Sequence, residues 1–134
     1  MMNAPEIGVL RREVFKVLDE IKDPCSVAAS VAMGLDEMGI IKSVHISDAG
    51  HVAVEFRLTS PFCEMIAYMT NEALAKVGAL PGVMGVSISN DTGLDWDPDM
   101  IAPEAQARRR RRLAMLHDLT HMRRNPPAPA REPV

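Results

Sequence analysis

The chain reads as an α+β domain, one small sheet of about three strands covered by helices. Three observations predict it. Val44, Ile46, Val52, Val54, Phe56 and Leu58 alternate with polar neighbours around the turn SDAGH, the pattern of a hairpin with one buried face. Ile7, Leu10, Val14, Val17, Leu18 and Ile21 recur at helical spacing before the hairpin, and Met65, Ile66, Met69, Ala73, Leu74 and Val77 do so after it. A further apolar run, VMGVSIS at 83–89, follows the punctuating LPG and reads as a third strand. The order helix, hairpin, helix, strand, helix is that of helices layered on a single sheet.

Each boundary has a local reason. Asp23-Pro24 ends the first helix, because the residue before a proline is pushed out of the helical region. The segment 26–43, SVAASVAMGLDEMGIIKS, has no clean period; its small residues, with Gly34 and Gly39, mark a packed connection into the first strand. The turn-rich, acidic NDTGLDWDPDM carries the sole tryptophan, Trp96. A last helix starts near Pro103, where proline suits the first turn. From Asn125 the tail NPPAPAREPV cannot sustain a helix and is expected to be disordered. The chain therefore divides into a body at 1–102, an Arg-rich helix at 103–124 and a Pro-rich tail at 125–134. A three-stranded sheet has edges to protect, so dimerisation or a covering C-terminal helix is expected.

The length of 134 residues supports one real core. With 47% hydrophobic and 25% charged residues, the composition excludes wholesale disorder. Ten methionines against 4% aromatics make that core adaptable rather than anchored by rings. The net charge of −3 hides an asymmetry: arginines crowd 108–124, so the first hundred residues are more acidic than the total suggests. No apolar run reaches the length of a membrane span, and the N-terminus lacks the pattern of a secretory signal, which predicts a cytoplasmic protein. In a reducing compartment two cysteines are thiols or ligands more often than a disulfide.

Those thiols are the best candidates for chemistry. In RLTSPFCEM, Pro61 predicts a helix start that puts Cys63 in the first turn, where free N–H groups and the helix dipole favour a thiolate. Thr59 and Ser60 supply hydroxyls able to cap that helix or hydrogen-bond a sulfur. Cys25, in KDPCSVA, sits at a comparable helix–loop junction. Either cysteine alone is more often a small buried hydrophobe; the pair, each in polar company, argues for a site. Two thiolates that met in space would make half of a tetrahedral zinc or iron–sulfur site, with Asp23 as an oxygen partner or a base behind the ligands.

The other signals are weaker. HDLTH at 117–121 spaces His117 and His121 one turn apart but lacks the glutamate of a zinc-protease helix, so both belong on a solvated face. His45 and His51 flank the hairpin turn and are expected at the surface. Arg108, Arg109, Arg110, Arg111 and Arg112 spread around every side of a helix with no interleaved aromatics, which favours an acidic protein partner over nucleic acid. Trp96 is expected as a core anchor, with a lid or partner contact as its second reading. No phosphate-binding glycine loop occurs.

Taken in order, DPC, MGII, the hairpin, LTSPFC, LPGV and LDWDPDMI resemble the small metal–sulfur cluster biosynthesis family over roughly residues 8 to 112. That family includes the adaptor of the eukaryotic cytosolic iron–sulfur targeting complex and the phenylacetate-oxygenase accessory protein of bacteria. The resemblance implies an iron–sulfur-assembly-like fold and a non-enzymatic or weakly catalytic role in delivering iron or clusters to client metalloenzymes. By position, Asp23 and Pro24 match the family's DP pair. Thr59, Ser60 and Cys63 match its TSPxC loop, whose cysteine is the reactive residue, and Trp96, Pro98 and Met100 match its WxPxM motif. The usual DPE is DPC here, which implies a variant branch, similar to accessory proteins of di-iron monooxygenases, that holds its metal with Cys63 and Cys25. The cargo implied is iron or a transient iron–sulfur cluster, with zinc as the other metal to consider, and a homodimer would pool four cysteines. Two other readings stand beside this one. The first is an interaction adaptor that binds a client and no metal. The second is a thiol–disulfide switch, ranked lowest because it needs the two Cα atoms within about 7 Å and no C-x-x-C pair is present.

Overall fold

In a computed structural model, which describes residues 1–24, 26, 31–61 and 64–124, helix α1 spans Ala4–Glu20. It starts where the Asn3 side chain accepts a hydrogen bond from the Glu6 N–H at 3.0 Å, with Pro5 in the first turn. It ends at Ile21, just ahead of Asp23-Pro24, as the proline predicts. Leu10, Val14 and Leu18 are its buried stripe.

Strands β1 (Ile41–Ile46) and β2 (His51–Phe56) form the expected antiparallel hairpin, with Val44 opposite Val54 and Ile46 opposite Val52. Its turn closes with Gly50 at φ 86, donating its N–H to Ser47. A register slip between Ile41 and Ser43 bulges the start of β1. Helix α2 (Ile66–Gly78) then carries the chain to β3 (Gly85–Asn90), which lies parallel to β2 and leaves β2 central. A parallel neighbour needs such a crossover.

The core forms between one sheet face and the two helices. Val52, Val54 and Phe56 of β2 are essentially inaccessible, and Val14, Leu18, Met69, Ala73 and Val77 close over them. The Arg11 guanidinium of α1 donates to the Val44 carbonyl at 2.7 Å, tying that helix to the edge strand. The opposite sheet face is polar: Lys42 pairs with Glu55 at 3.5 Å, and the His51 ring lies 2.7 Å from the Ser87 hydroxyl. A single 3-10 turn, Pro98–Met100, leads into α3 (Pro103–Arg124), which starts at Pro103 as predicted and buries Ala105 against the body.

One boundary differs. The helix expected from Pro61 begins instead at Ile66, and Met65 at its N-cap provides no side-chain cap. Thr59 and Ser60 therefore do not cap α2, since residues 58–61 are held as a loop by the segment at 91–93. Cys25, Cys63 and the tail at 125–134 lie outside the described residues.

Phe56 has no accessible surface at the centre of this layer. Phe56→Ala is expected to cost about 3–5 kcal/mol, read as a lower denaturation midpoint with an unchanged slope.

Candidate functional site

The residues flanking Cys25 in sequence are fastened to the segment at 31–35. Asp23 donates its N–H to the Met33 carbonyl at 2.8 Å, and Leu35 returns one to Ile21 at 3.0 Å. Gly34 permits this approach, because any side-chain carbon there would enter the Asp19 carbonyl and carboxylate. Asp23 and Ser26 are each 5% exposed and bond to one another twice. The Ser26 N–H donates to Asp23 Oδ2 at 2.9 Å, and the Ser26 hydroxyl donates to the Asp23 carbonyl at 2.7 Å. That hydroxyl also accepts the Met33 N–H at 3.0 Å. One Asp23 oxygen is thus committed to the turn, a structural duty beside the ligand role expected for it.

The loop leading toward Cys63 is clamped from the other side of the sheet's end. Leu58 and Gly93 both donate N–H groups to Oδ1 of Asp91, at 3.0 and 2.9 Å. Gly93 has φ +83, and a Cβ there would lie 2.5 Å from the backbone of Ser60 and Pro61. Ser60 and Pro61 therefore lie directly against Gly93. Arg57 extends the tie: its Nε donates to Asp95 at 2.7 Å, and its terminal nitrogen reaches the carbonyls of Gly39 and Ile41 at 3.3 and 3.2 Å.

Trp96 joins the two halves. It is half-buried rather than a full core anchor, and its indole N–H donates to the Met38 carbonyl at 2.6 Å. Its ring, with Asp23, Ser26, Met33, Met38, Arg109 and Leu113, lines a cavity of about 230 Å³ roofed by α3. Helix α3 is held there by Arg108, which grips both carboxylate oxygens of Glu37 at 3.0 and 2.9 Å. Glu37 also accepts the Gly34 N–H, and its carbonyl accepts the Ala102 N–H. Of the five arginines, Arg108 is thus fully engaged within the chain, while Arg110 and Arg111 are exposed. The four histidines are exposed, as expected. Among the described residues, no group of three or more His, Cys, Asp or Glu is placed to hold a metal ion.

The DP turn, the TSP loop and the tryptophan segment therefore share one end of the sheet, joined by Trp96 and Arg57. A model of the family described as iron–sulfur cluster assembly protein matches residues 11–89. The chain belongs to that iron–sulfur cluster assembly family. An Fe-S protein maturation auxiliary factor of Porphyromonas gingivalis is 27% identical over 93 residues, covering 69% of this chain and 84% of that protein. An uncharacterised protein of Methanocaldococcus jannaschii is 27% identical over 81 residues, covering 60% of this chain and 80% of its own. A crystal structure of a DUF59 domain of unknown function from Bacillus anthracis superposes with a TM-score of 0.67 at 16% identity. It covers 78% of this chain and 95% of that one, and shows the same fold.

The family match takes in DPC and LTSPFC and stops before Trp96 and α3, a narrower span than the resemblance predicts. Asp91, Gly93, Arg57, Ser26 and Glu37 escape a motif reading. For Asp91 a signal existed: Asp-x-Gly after a strand is the pattern of an Asx turn.

Burial would raise the Asp91 carboxyl, but the N–H groups of Leu58 and Gly93, then Lys42 and Arg57, outweigh it and hold its pKa low. Glu37 is lowered in the same way: burial opposes, while Gly34, Arg108 and Lys22 prevail. Lowered carboxylates stabilise the fold above their unfolded pKa, near 4, and that stability is lost as pH falls through the lower folded value. Asp36, raised by burial and by Asp19 and Glu37, works against this slope. Stability is thus expected to fall on acidification from about pH 5 to 3, and Asp91→Ala to cost about 2 kcal/mol at pH 7 and to flatten the slope, both read by denaturant titration. Gly93→Ala forces alanine into a left-handed conformation against the Ser60–Pro61 backbone. Its expected cost is about 1–3 kcal/mol, read by the same titration.

Proposed function

We propose that this protein is an accessory factor in the maturation of iron–sulfur or iron enzymes. Cys63 is the principal cargo ligand and Cys25 the second. What most supports this is the pair of clamps on the sequence neighbours of the two cysteines, Asp23–Ser26 on one side and Asp91–Gly93 on the other, in a chain of the iron–sulfur assembly family. A backbone fixed so close to a ligand restricts its reach, and preorganised ligands cost less order when cargo arrives.

Iron, or a small cluster, is the cargo rather than a resident cofactor; zinc would compete for the same thiolates. Each cysteine must lose its proton to bind, so loading is favoured as pH rises through the thiol pKa. Few protein ligands leave coordination positions open to a client's own thiolates, and transfer proceeds by exchange of one sulfur ligand for another, with no redox change required. Each thiol gives its proton to solvent on loading and regains one when the client's thiolate displaces it, so the protein ends unchanged and the role is that of a carrier rather than an enzyme. Asp23 orients the DPC turn, and Thr59 and Ser60 orient the loop before Cys63. The client is a metalloenzyme, of the di-iron oxygenase type if the DPC variant marks that branch, met in a reducing, cytoplasmic setting. Exposed Arg109, Arg110 and Arg111, with the half-buried Trp96 near the cavity, supply a basic docking face for it, while Arg108 keeps the helix in place. The first turns of α3 are thus the client-specific addition to the assembly body.

The metal-free adaptor reading also draws support from that basic helix. Anaerobic reconstitution of the full chain with iron and sulfide separates the two. Bound iron and a visible chromophore in the wild type, lost in Cys63→Ser and weakened in Cys25→Ser, are the expected result. A wild type that stays colourless and metal-free, with a double Cys→Ser variant that still activates the client, would replace the carrier with the adaptor.

A further inference from the structure

Beyond its first turns, α3 leaves the body. Met115, Leu116, Leu119 and Met122 are 53%, 37%, 51% and 53% exposed, and they fall on one side of the helix. Arg112 and Arg123 continue that side at both ends, at the i, i+4, i+7, i+11 positions they share with Leu116 and Leu119. The arm is thus basic, apolar and basic again along its length. Four large apolar side chains in one exposed stripe mark a contact surface rather than scattered surface residues.

Elsewhere, at the start of the chain, α1 and the LPG turn enclose a groove of about 600 Å³. Met2, Val9, Leu80 and Pro81 line it, together with the exposed carboxylates of Glu6 and Glu13. Glu6, Val9 and Glu13 share one face of α1, so this surface is acidic, apolar and acidic again. Neither glutamate makes an ion pair among the described residues.

We propose that the α3 arm of one copy seats in the α1 groove of a second copy of this chain. The charge orders are complementary, and the carboxylate spacing matches the apolar stretch that the arginines bracket. Met115 to Met122 and Glu6 to Glu13 are both seven helical steps, about 10 Å. Arg112 and Arg123 lie about 4 Å beyond the apolar stretch at one end and about 2 Å beyond it at the other, distances a flexible arginine covers. Each copy carries one arm and one groove, so reciprocal exchange closes a two-fold dimer and leaves neither surface open.

Sedimentation of the full chain under reducing conditions, across a concentration series, tests this. Wild type is expected to self-associate. Leu116→Asp/Leu119→Asp in the arm, and Val9→Asp in the groove, are each expected to weaken association at least about tenfold while leaving the circular dichroism unchanged. Mixing the arm variant with the groove variant is expected to restore a dimer, because one intact arm and one intact groove remain. Glu6→Arg/Glu13→Arg should also weaken it, and adding Arg112→Glu/Arg123→Glu to the same chain should rescue it. A wild type that remains monomeric up to its solubility limit would overturn the proposal and leave the arm to another protein. Loss with the arm variant alone, the groove variant staying dimeric, would also overturn it in favour of arm–arm pairing. A dimer indifferent to both variants would place the interface elsewhere, on the sheet edge.

Discussion

A single carboxylate oxygen, Oδ1 of Asp91, receives the N–H groups of Leu58 and Gly93, and the end of the sheet that carries the TSP loop is arranged around it. Leu58 lies two residues past the end of β2, where the TSP loop begins. Gly93 is where the chain leaving β3 passes under Ser60 and Pro61, with no room for a side chain. The parallel placement of β3 beside β2 is what brings these two exits together. The clamp therefore translates sheet topology into the position of a loop, as in other parallel pairs whose sites gather beyond the carboxyl ends of their strands.

A second tie, Glu37 with Arg108, decides how α3 meets the body. Glu37 is recruited from three directions, by the Gly34 N–H, the Arg108 guanidinium and, through its own N–H, the Asp19 carboxylate. Both arginine bonds come from one terminal nitrogen, Nη2, set between the two carboxylate oxygens, and the pair is partly shielded from solvent. The helix is fixed there over its first turns and roofs the cavity with Arg109 and Leu113. Past that point its apolar stripe is exposed. One helix thus serves as cover at its start and as free surface at its end, which explains its weak amphipathicity as a whole.

The soft core and the rigid loops are complementary choices. Methionines and aliphatic residues fill the layer between helices and sheet, where packing tolerates adjustment. The segments beside the cysteines are instead held by charged or hydroxyl groups with short, directional bonds.

Much of this was legible in the sequence, for a physical reason. The alternation of Val52, Val54 and Phe56 and the spacing of Leu10, Val14 and Leu18 record burial directly, because side-chain period and buried face are the same fact. Proline rules placed the end of α1 and the start of α3. The order of DPC, LTSPFC and LDWDPDM pointed to the family that the match over residues 11–89 established. The true start of α2 was not legible, since Pro61 is a permissive helix start and it is the long-range contact with Asp91 and Gly93 that holds the loop before it. Nor was the role of Arg108, identical in sequence to its four neighbours and set apart only by facing Glu37, 71 positions away. Local chemistry determined the elements; contacts between residues distant in the chain decided which of them meet, because nothing in a one-dimensional pattern encodes the turn of one helix that faces another segment.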